Sequence, residues 1–254
     1  MSKSKRNKQK TKNQKPTINT HYSIDEDLNV ALNNLAIKRT GGAINFRGVG
    51  FQLLYSCFTL LNELDSSNPS KSIRLEGIED LDIIEVDNNQ YIQLKSSINA
   101  IDAGSFWKMG VLQNFLEAFK INPDCNLKLV YNFKLTKGYF NDLVIKKITD
   151  KTVTFWKQKF ENSLLDISDI DFDFFIRNID YINVSEHYLI KDCNRHLFEK
   201  FNINLGTENQ YLIALFYNSF NCSKERKSIT YLDLKRIFQS VTDSFSKSPT
   251  NPAI

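Results

Sequence analysis

The sequence predicts an α/β fold, a mixed sheet flanked by helices with a mainly helical C-terminal extension. Three observations carry this. Phe51, Leu54, Tyr55, Phe58, Leu61 and Leu64 recur at helical spacing. Short β-rich runs follow between residues 73 and 96. After a second helical stripe, residues 127–135 alternate apolar and polar, the period of a strand. The order from Phe51 is thus helix, three strands, helix, strand, which calls for a sheet with helices packed against it.

The elements can be read in turn. Ser23 with Glu26 resembles a capping box, so a helix is expected with Leu28, Leu32, Leu35 and Ala36 on one face, ended by Gly41-Gly42. The stretch Asn45-Phe46-Arg47-Gly48-Val49-Gly50-Phe51-Gln52 opens the next helix. Gly48 and Gly50 are read there as close-packing or turn residues, because neither GxxxxGK[ST] nor a complete GxGxxG is present.

Residues 73–76 read as a strand. Two more follow, one carrying Glu76, Glu79, Asp80 and Asp82, the other carrying Gln93 and Lys95. A tight turn at 87–90, where Asn tolerates positive φ, makes these a hairpin pairing Val86 with Tyr91, Ile84 with Gln93 and Asp82 with Lys95. Opposed residues share a sheet face, so Asp82, Gln93 and Lys95 converge. Two readings stand at this point: a metal-and-phosphate site, or a cross-strand ion pair on a surface.

A helix is expected at 105–120, with Met109, Leu112, Phe115, Leu116 and Phe119 inward. In the strand 127–135, Leu127, Leu129, Tyr131, Phe133 and Leu135 face one way, and Lys128, Asn132 and Lys134 the other. Beyond Thr136 helices are expected near 139–147, 152–165 and 185–201, with a strand within 173–184. Two further helices should follow box-like pairs, Thr207 with Gln210 and Thr230 with Asp233. The domain reading is a disordered basic tail at 1–20, a core at 21–136 and a helical extension packed on the core at 137–254.

Composition narrows the class. Of 254 residues, 41% are hydrophobic and 12% aromatic, enough for a sizeable core. No apolar run reaches the roughly 18–20 residues that span a bilayer, and no apolar signal core follows the basic N-terminus. A cytoplasmic protein with no membrane partner is expected. Residues 1–15 hold seven of the 33 Lys/Arg and no acid, leaving 26 basic against 29 acidic residues, a net −3, elsewhere. The tail suits either phosphate binding through counterion release or plain solubilisation. Four scattered cysteines without a CxxC pair read as free thiols. Cys193 and His196 lie one turn apart near His187, but no second cysteine pair or carboxylate motif accompanies them. His21, His187 and His196 are read as structural. Ser-His-Asp spacing, HExxH and a P-loop are all absent.

The element order, with an acid on the second strand and Gln-x-Lys on the third, resembles the PD-(D/E)XK nuclease superfamily, that is, a restriction-endonuclease-like core. Gly41-Gly42, Gly48-x-x-Phe51-Gln52, Glu76-x-x-Glu79-Asp80-x-Asp82-Ile83 and Gln93-x-Lys95-Ser96 resemble one branch of it. That branch is the double-stranded DNA endonuclease domain of bacterial anti-phage defence, found in effectors activated by cyclic oligonucleotides (CBASS), in antiviral STAND NTPases and in the nuclease subunit of Lamassu systems. The motifs span residues 41–96, and the topology extends the likeness to 135.

The resemblance implies roles by position. Asp82 matches the metal-binding aspartate of the second strand, and Lys95 the lysine that polarises the attacking water and steadies charge on the phosphate. Gln93 stands where many members carry Glu, Gln52 matches the helix-borne Glu or Gln pointing into the site, and Glu76 fits an additional acidic position. Glu76, Asp80, the Leu94 carbonyl and water are candidates to complete a metal shell around Asp82.

The implied cofactor is Mg²⁺, with Mn²⁺ as substitute. The implied partners are double-stranded DNA and a sensor or regulatory subunit (SMC-like, STAND or cyclic-oligonucleotide sensor), with an oligomer as the active form. Mg²⁺ favours a few carboxylate or carbonyl oxygens plus waters, and a neighbouring lysine adds fixed positive charge, which suits phosphodiester hydrolysis independently. The alternative is a non-catalytic DNA-binding or scaffolding subunit. A third reading, cleavage of RNA or single strands, uses the same phosphate chemistry.

Overall fold

The computed structural model describes residues 40–246 except 87 and 205, with side chains from Arg47 onward. The chain divides into two compact units, Met1–Ala43 and Ile44–Ile254, and the fold described is that of the second. The basic tail at 1–20 and the helix read from Ser23 lie outside the described residues.

Helix α1 runs Thr40–Glu63. Gly41-Gly42 lie within it. Gly48 and Gly50 lie in its interior, and a Cβ on either would meet nothing within 4 Å. Among the described residues they serve neither close packing nor a turn.

Strands β1 (Ser72–Leu75), β2 (Leu81–Ile84) and β3 (Gln90–Ser96) follow, then helices α2 (Ala103–Lys108) and α3 (Val111–Ile121) and strand β4 (Asn126–Asn132). The single helix expected at 105–120 is two, because Gly110 takes φ 74° and breaks it after Met109. The crossover through these helices lets β3 and β4 run parallel, as such pairs require.

After β4 come α4 (Tyr139–Val144), α5 (Asp150–Asn162), α6 (Phe172–Arg177), β5 (Ile179–Asn183), α7 (Glu186–Phe201), α8 (Glu208–Glu225), β6 (Ser228–Thr230) and α9 (Tyr231–Ser246). Ser185 caps α7 by accepting from the Tyr188 amide. Thr230 and Asp233 form a reciprocal box at the start of α9, while Thr207 makes no side-chain cap to α8.

The six strands form one mixed sheet in the order β5-β4-β3-β2-β1-β6. Both edges come from the region after 136: β5 parallel to β4, and β6 antiparallel to β1. One face packs Ile73, Leu75, Leu81, Ile83, Ile92, Leu94 and Val130 against α1, α7, α8 and α9. The other packs Tyr91, Leu127, Leu129 and Tyr131 against α2 to α6. Val130 and Leu129 are both fully buried, so β4 is covered on both faces and is not half-buried.

The β2–β3 register corrects the one expected. Asp82 pairs with Tyr91 and Ile83 with Gln90, because the connection occupies 85–89 and is longer than a tight turn. The offset from the expected pairing is four residues. An even offset keeps every side chain on its face, so Asp82, Gln93 and Lys95 still project from the same side, but Asp82 and Lys95 are not opposite one another.

Candidate active site

The site is built on the connection from β1 to β2, Glu76-Gly77-Ile78-Glu79-Asp80. The Glu76 amide donates to the Asp80 carbonyl at 3.0 Å, closing the loop, and Glu76 itself holds a left-handed φ of 52°. The loop wraps around the side chain of Asp82, which is 0% exposed. Its Oδ2 accepts from the Ile78 amide at 2.8 Å and from Arg74 Nη2 and Nε at 2.7 and 3.1 Å. Its Oδ1 accepts from the Glu79 amide at 3.0 Å.

Arg74 and Asp82 are cross-strand partners, so the β1–β2 register brings them together. Gly77 lies against this pair: a Cβ there would come 2.0 Å from Asp82 Oδ2 and 2.4 Å from Arg74 Nε. No side chain fits without displacing them.

Anchored in this way, the loop presents its other acids to β3. Glu79 is 5% exposed and accepts a short hydrogen bond from Gln93 Nε2, with Gln93 only 3% exposed. Asp80 Oδ2 accepts from the Leu94 amide at 2.7 Å and stands 3.7 Å from Lys95 Nζ. Of the residues read as the site, Gln93 and Lys95 therefore meet acids from the β1–β2 loop, namely Glu79 and Asp80. The Asp82 carboxylate is occupied by Arg74 and two backbone amides.

Burial raises the Glu79 carboxyl to about 7, with the Asp80 and Asp82 charges adding to the rise and the Gln93 bond and Lys95 opposing it. Burial also raises Glu76, reinforced by Asp80 and countered by Arg226 and Lys95.

Gln52 and Glu76 lie together in a cavity of ≈ 240 Å³ beside Asp80. Helix α1 lines it with Val49, Gln52, Leu53 and Ser56, one helical stripe, and α8 closes it with Phe220, Ser223 and Lys224. Glu79 as the partner of Gln93, Arg74 as the partner of Asp82, and the α8 wall were all missed in the sequence. Only the first two had a local signal: Glu79 sits within the acidic motif, and Arg74 lies on a neighbouring strand at matching parity.

The donor set suits a hard cation in part. Glu79 Oε1 and Gln93 Oε1 are buried without a hydrogen-bond partner, and the nearby Asp80 and Glu76 add carboxylate oxygens. Among the described residues no group of three or more His, Cys, Asp or Glu side chains is gathered closely enough to hold a metal ion by itself. The arrangement therefore fits an ion held through one or two carboxylates, an amide oxygen and water, the mode usual for Mg²⁺, and not an all-protein cage. Cys57, Cys125 and Cys193 are buried free thiols.

No protein-family model and no curated protein matches the chain. Among solved structures it resembles the Cap4 SAVED/CARF-domain containing receptor of Acinetobacter baumannii with the cyclic trinucleotide 3'3'3'-cAAA. The TM-score is 0.50 at 14% identity, over 78% of this chain and 45% of that one. The same receptor with 2'3'3'-cAAA matches equally, with TM-score 0.50, 14% identity, and 78% and 45% covered. The chain thus spans less than half the length of these receptors. At this identity the likeness establishes the fold: an α/β protein with a six-stranded mixed sheet flanked by helices and a helical C-terminal region. No helix among the described residues is long and apolar enough to cross a membrane.

Proposed function

We propose that this chain is a metal-dependent endonuclease that hydrolyses phosphodiester bonds of double-stranded DNA, working as the effector of a bacterial anti-phage defence system. One observation carries the reading: the β1–β2 loop sets Asp80, which lines a cavity with Glu76 and Gln52, beside Lys95, and sets Glu79 against Gln93. The motif resemblance and the fold likeness to the Cap4 receptors support it.

Asp80 and Glu79, with the Gln93 amide oxygen, would hold Mg²⁺, and Glu76 borders the same cavity. When bound, that ion would supply charge stabilisation at the phosphate and a more acidic water. Lys95 places a fixed positive charge where negative charge develops on the scissile phosphate, and it orients the attacking water. Gln52 lines the cavity as a hydrogen-bonding group for water or substrate. Asp82 acts one step back, by fixing the loop that carries Glu79 and Asp80. Coupling to a sensor, either a separate subunit or a further module, would confine the activity to infection.

The test is conversion of supercoiled plasmid to nicked and linear forms with Mg²⁺ or Mn²⁺. The wild type is expected to cleave, and Asp80→Asn and Lys95→Ala to lose about 10²–10³-fold in rate. Undiminished cleavage by both variants sinks the assignment. The Gln at position 93, where an acid would add a negative ligand, and the near-neutral charge outside the basic tail favour a second reading, DNA binding without turnover. Retention of duplex DNA with no strand breaks under any of these conditions would select it.

A further inference from the structure

We infer that helix α8 is part of the substrate-binding surface, with Lys224 contacting a DNA phosphate and Phe220 packing on the deoxyribose beside it. This rests on the nuclease reading and adds residues that lie far outside its motifs. Phe220, Ser223 and Lys224 stand at i, i+3 and i+4, so one face of α8 carries all three into the wall of the cavity that holds Glu76 and Asp80. The neighbouring stripe, with Tyr211, Leu215 and Ser219, is buried in the core, which fixes the helix rotation.

The wall exposes apolar side chains to the cavity mouth. Phe220 is 45% exposed and Val49 43%, an apolar border on an acidic cavity. Lys224 Nζ lies 5.1 Å from the Phe220 ring centroid. Lys224 makes no salt bridge among the described residues, since the adjacent Glu225 pairs with Lys227. A lysine in the last turn of a helix complements the helix dipole, and that alone affects stability only. Its place in this cavity gives it a second consequence. Glu76 and Asp80 repel an incoming phosphodiester, and Lys224, the cation among the residues lining the cavity, adds to Lys95 in offsetting them.

The experiment measures binding of a fluorescent duplex by the full chain in EDTA, where cleavage is stopped, across a salt series. Lys224→Ala is expected to weaken binding and lower the log–log salt slope by about 0.9, the release of one phosphate's counterions. Lys224→Arg should restore both. Phe220→Ala should weaken binding while leaving the slope unchanged, because its contact is apolar. Lys235→Ala on α9 serves as the distant control. Both α8 side chains are exposed, so these variants should fold, which circular dichroism checks. A wild-type slope and affinity in Lys224→Ala overturns this inference alone. Failure of the wild type to retain duplex DNA overturns the nuclease reading and this inference together.

Discussion

Replacing Asp82 by Ala separates a loop anchor from a metal ligand. The side chain is fully buried and accepts from the Ile78 and Glu79 amides and from Arg74. Its removal orphans two backbone donors, each costing about 1–3 kcal/mol when left without a partner. Arg74 is 33% exposed and regains some hydration, so its lost ion pair adds less than a fully buried pair would. The expected loss is about 3 kcal/mol, or roughly 6–12 °C in Tm for a unit of this size.

Urea and thermal unfolding followed by circular dichroism would measure it. Asp80→Asn is the contrast. Its carboxylate makes one amide bond and one long contact to Lys95, and the Asn carbonyl can still accept from Leu94. Its stability should stay within about 1 kcal/mol of wild type. An Asp82→Ala protein melting within 2 °C of wild type, by rough scaling less than 1 kcal/mol, would refute the anchoring role.

Gly77→Ala should also destabilise, by about 1–3 kcal/mol, because its Cβ would overlap Asp82 Oδ2 and the Arg74 guanidinium; the unfolding midpoint reads it. Gly50→Ala should do the opposite and stabilise by about 0.5–1 kcal/mol, since it sits inside α1 with open space around it, and a lower midpoint would contradict this. His196 is buried beside Phe58 with neither ring nitrogen hydrogen-bonded, and burial first, then Lys200 and Arg195, lower its pKa. Its neutral form is therefore favoured in the fold. The associated stability is complete above the ordinary histidine pKa of about 6.5 and is lost as pH falls below it. Between about pH 7.5 and 5.5, His196→Leu should lose less Tm than wild type, and parallel losses would refute this.

Much of this architecture is legible in the residues. The apolar stripe from Phe51 to Leu64, the three short strands and the alternation after Leu127 identify the elements. Pleat parity places Asp82, Gln93 and Lys95 on one face even though the loop at 85–89 shifts the register by four. What escapes depends on through-space partners. Asp80 and Asp82 are equally acidic in the sequence, and only the pairing of β1 with β2 shows that Arg74 claims Asp82 and leaves Asp80 to Lys95. The short strand β6 and the α8 wall lie some 140 residues from the motifs, and no local pattern ties Phe220 or Lys224 to Glu76. Gly41-Gly42 reads as a helix exit by its chemistry, yet the backbone continues through it as α1.

The central claim is that the acids carried by the β1–β2 loop, with Gln93 and Lys95, hydrolyse DNA. Single-turnover plasmid cleavage with Mg²⁺, comparing wild type with Asp80→Asn at equal folded fraction, tests it most directly. The account predicts cleavage by wild type and a loss of at least about 10²-fold in Asp80→Asn with its fold intact. Equal rates for the two proteins would contradict it.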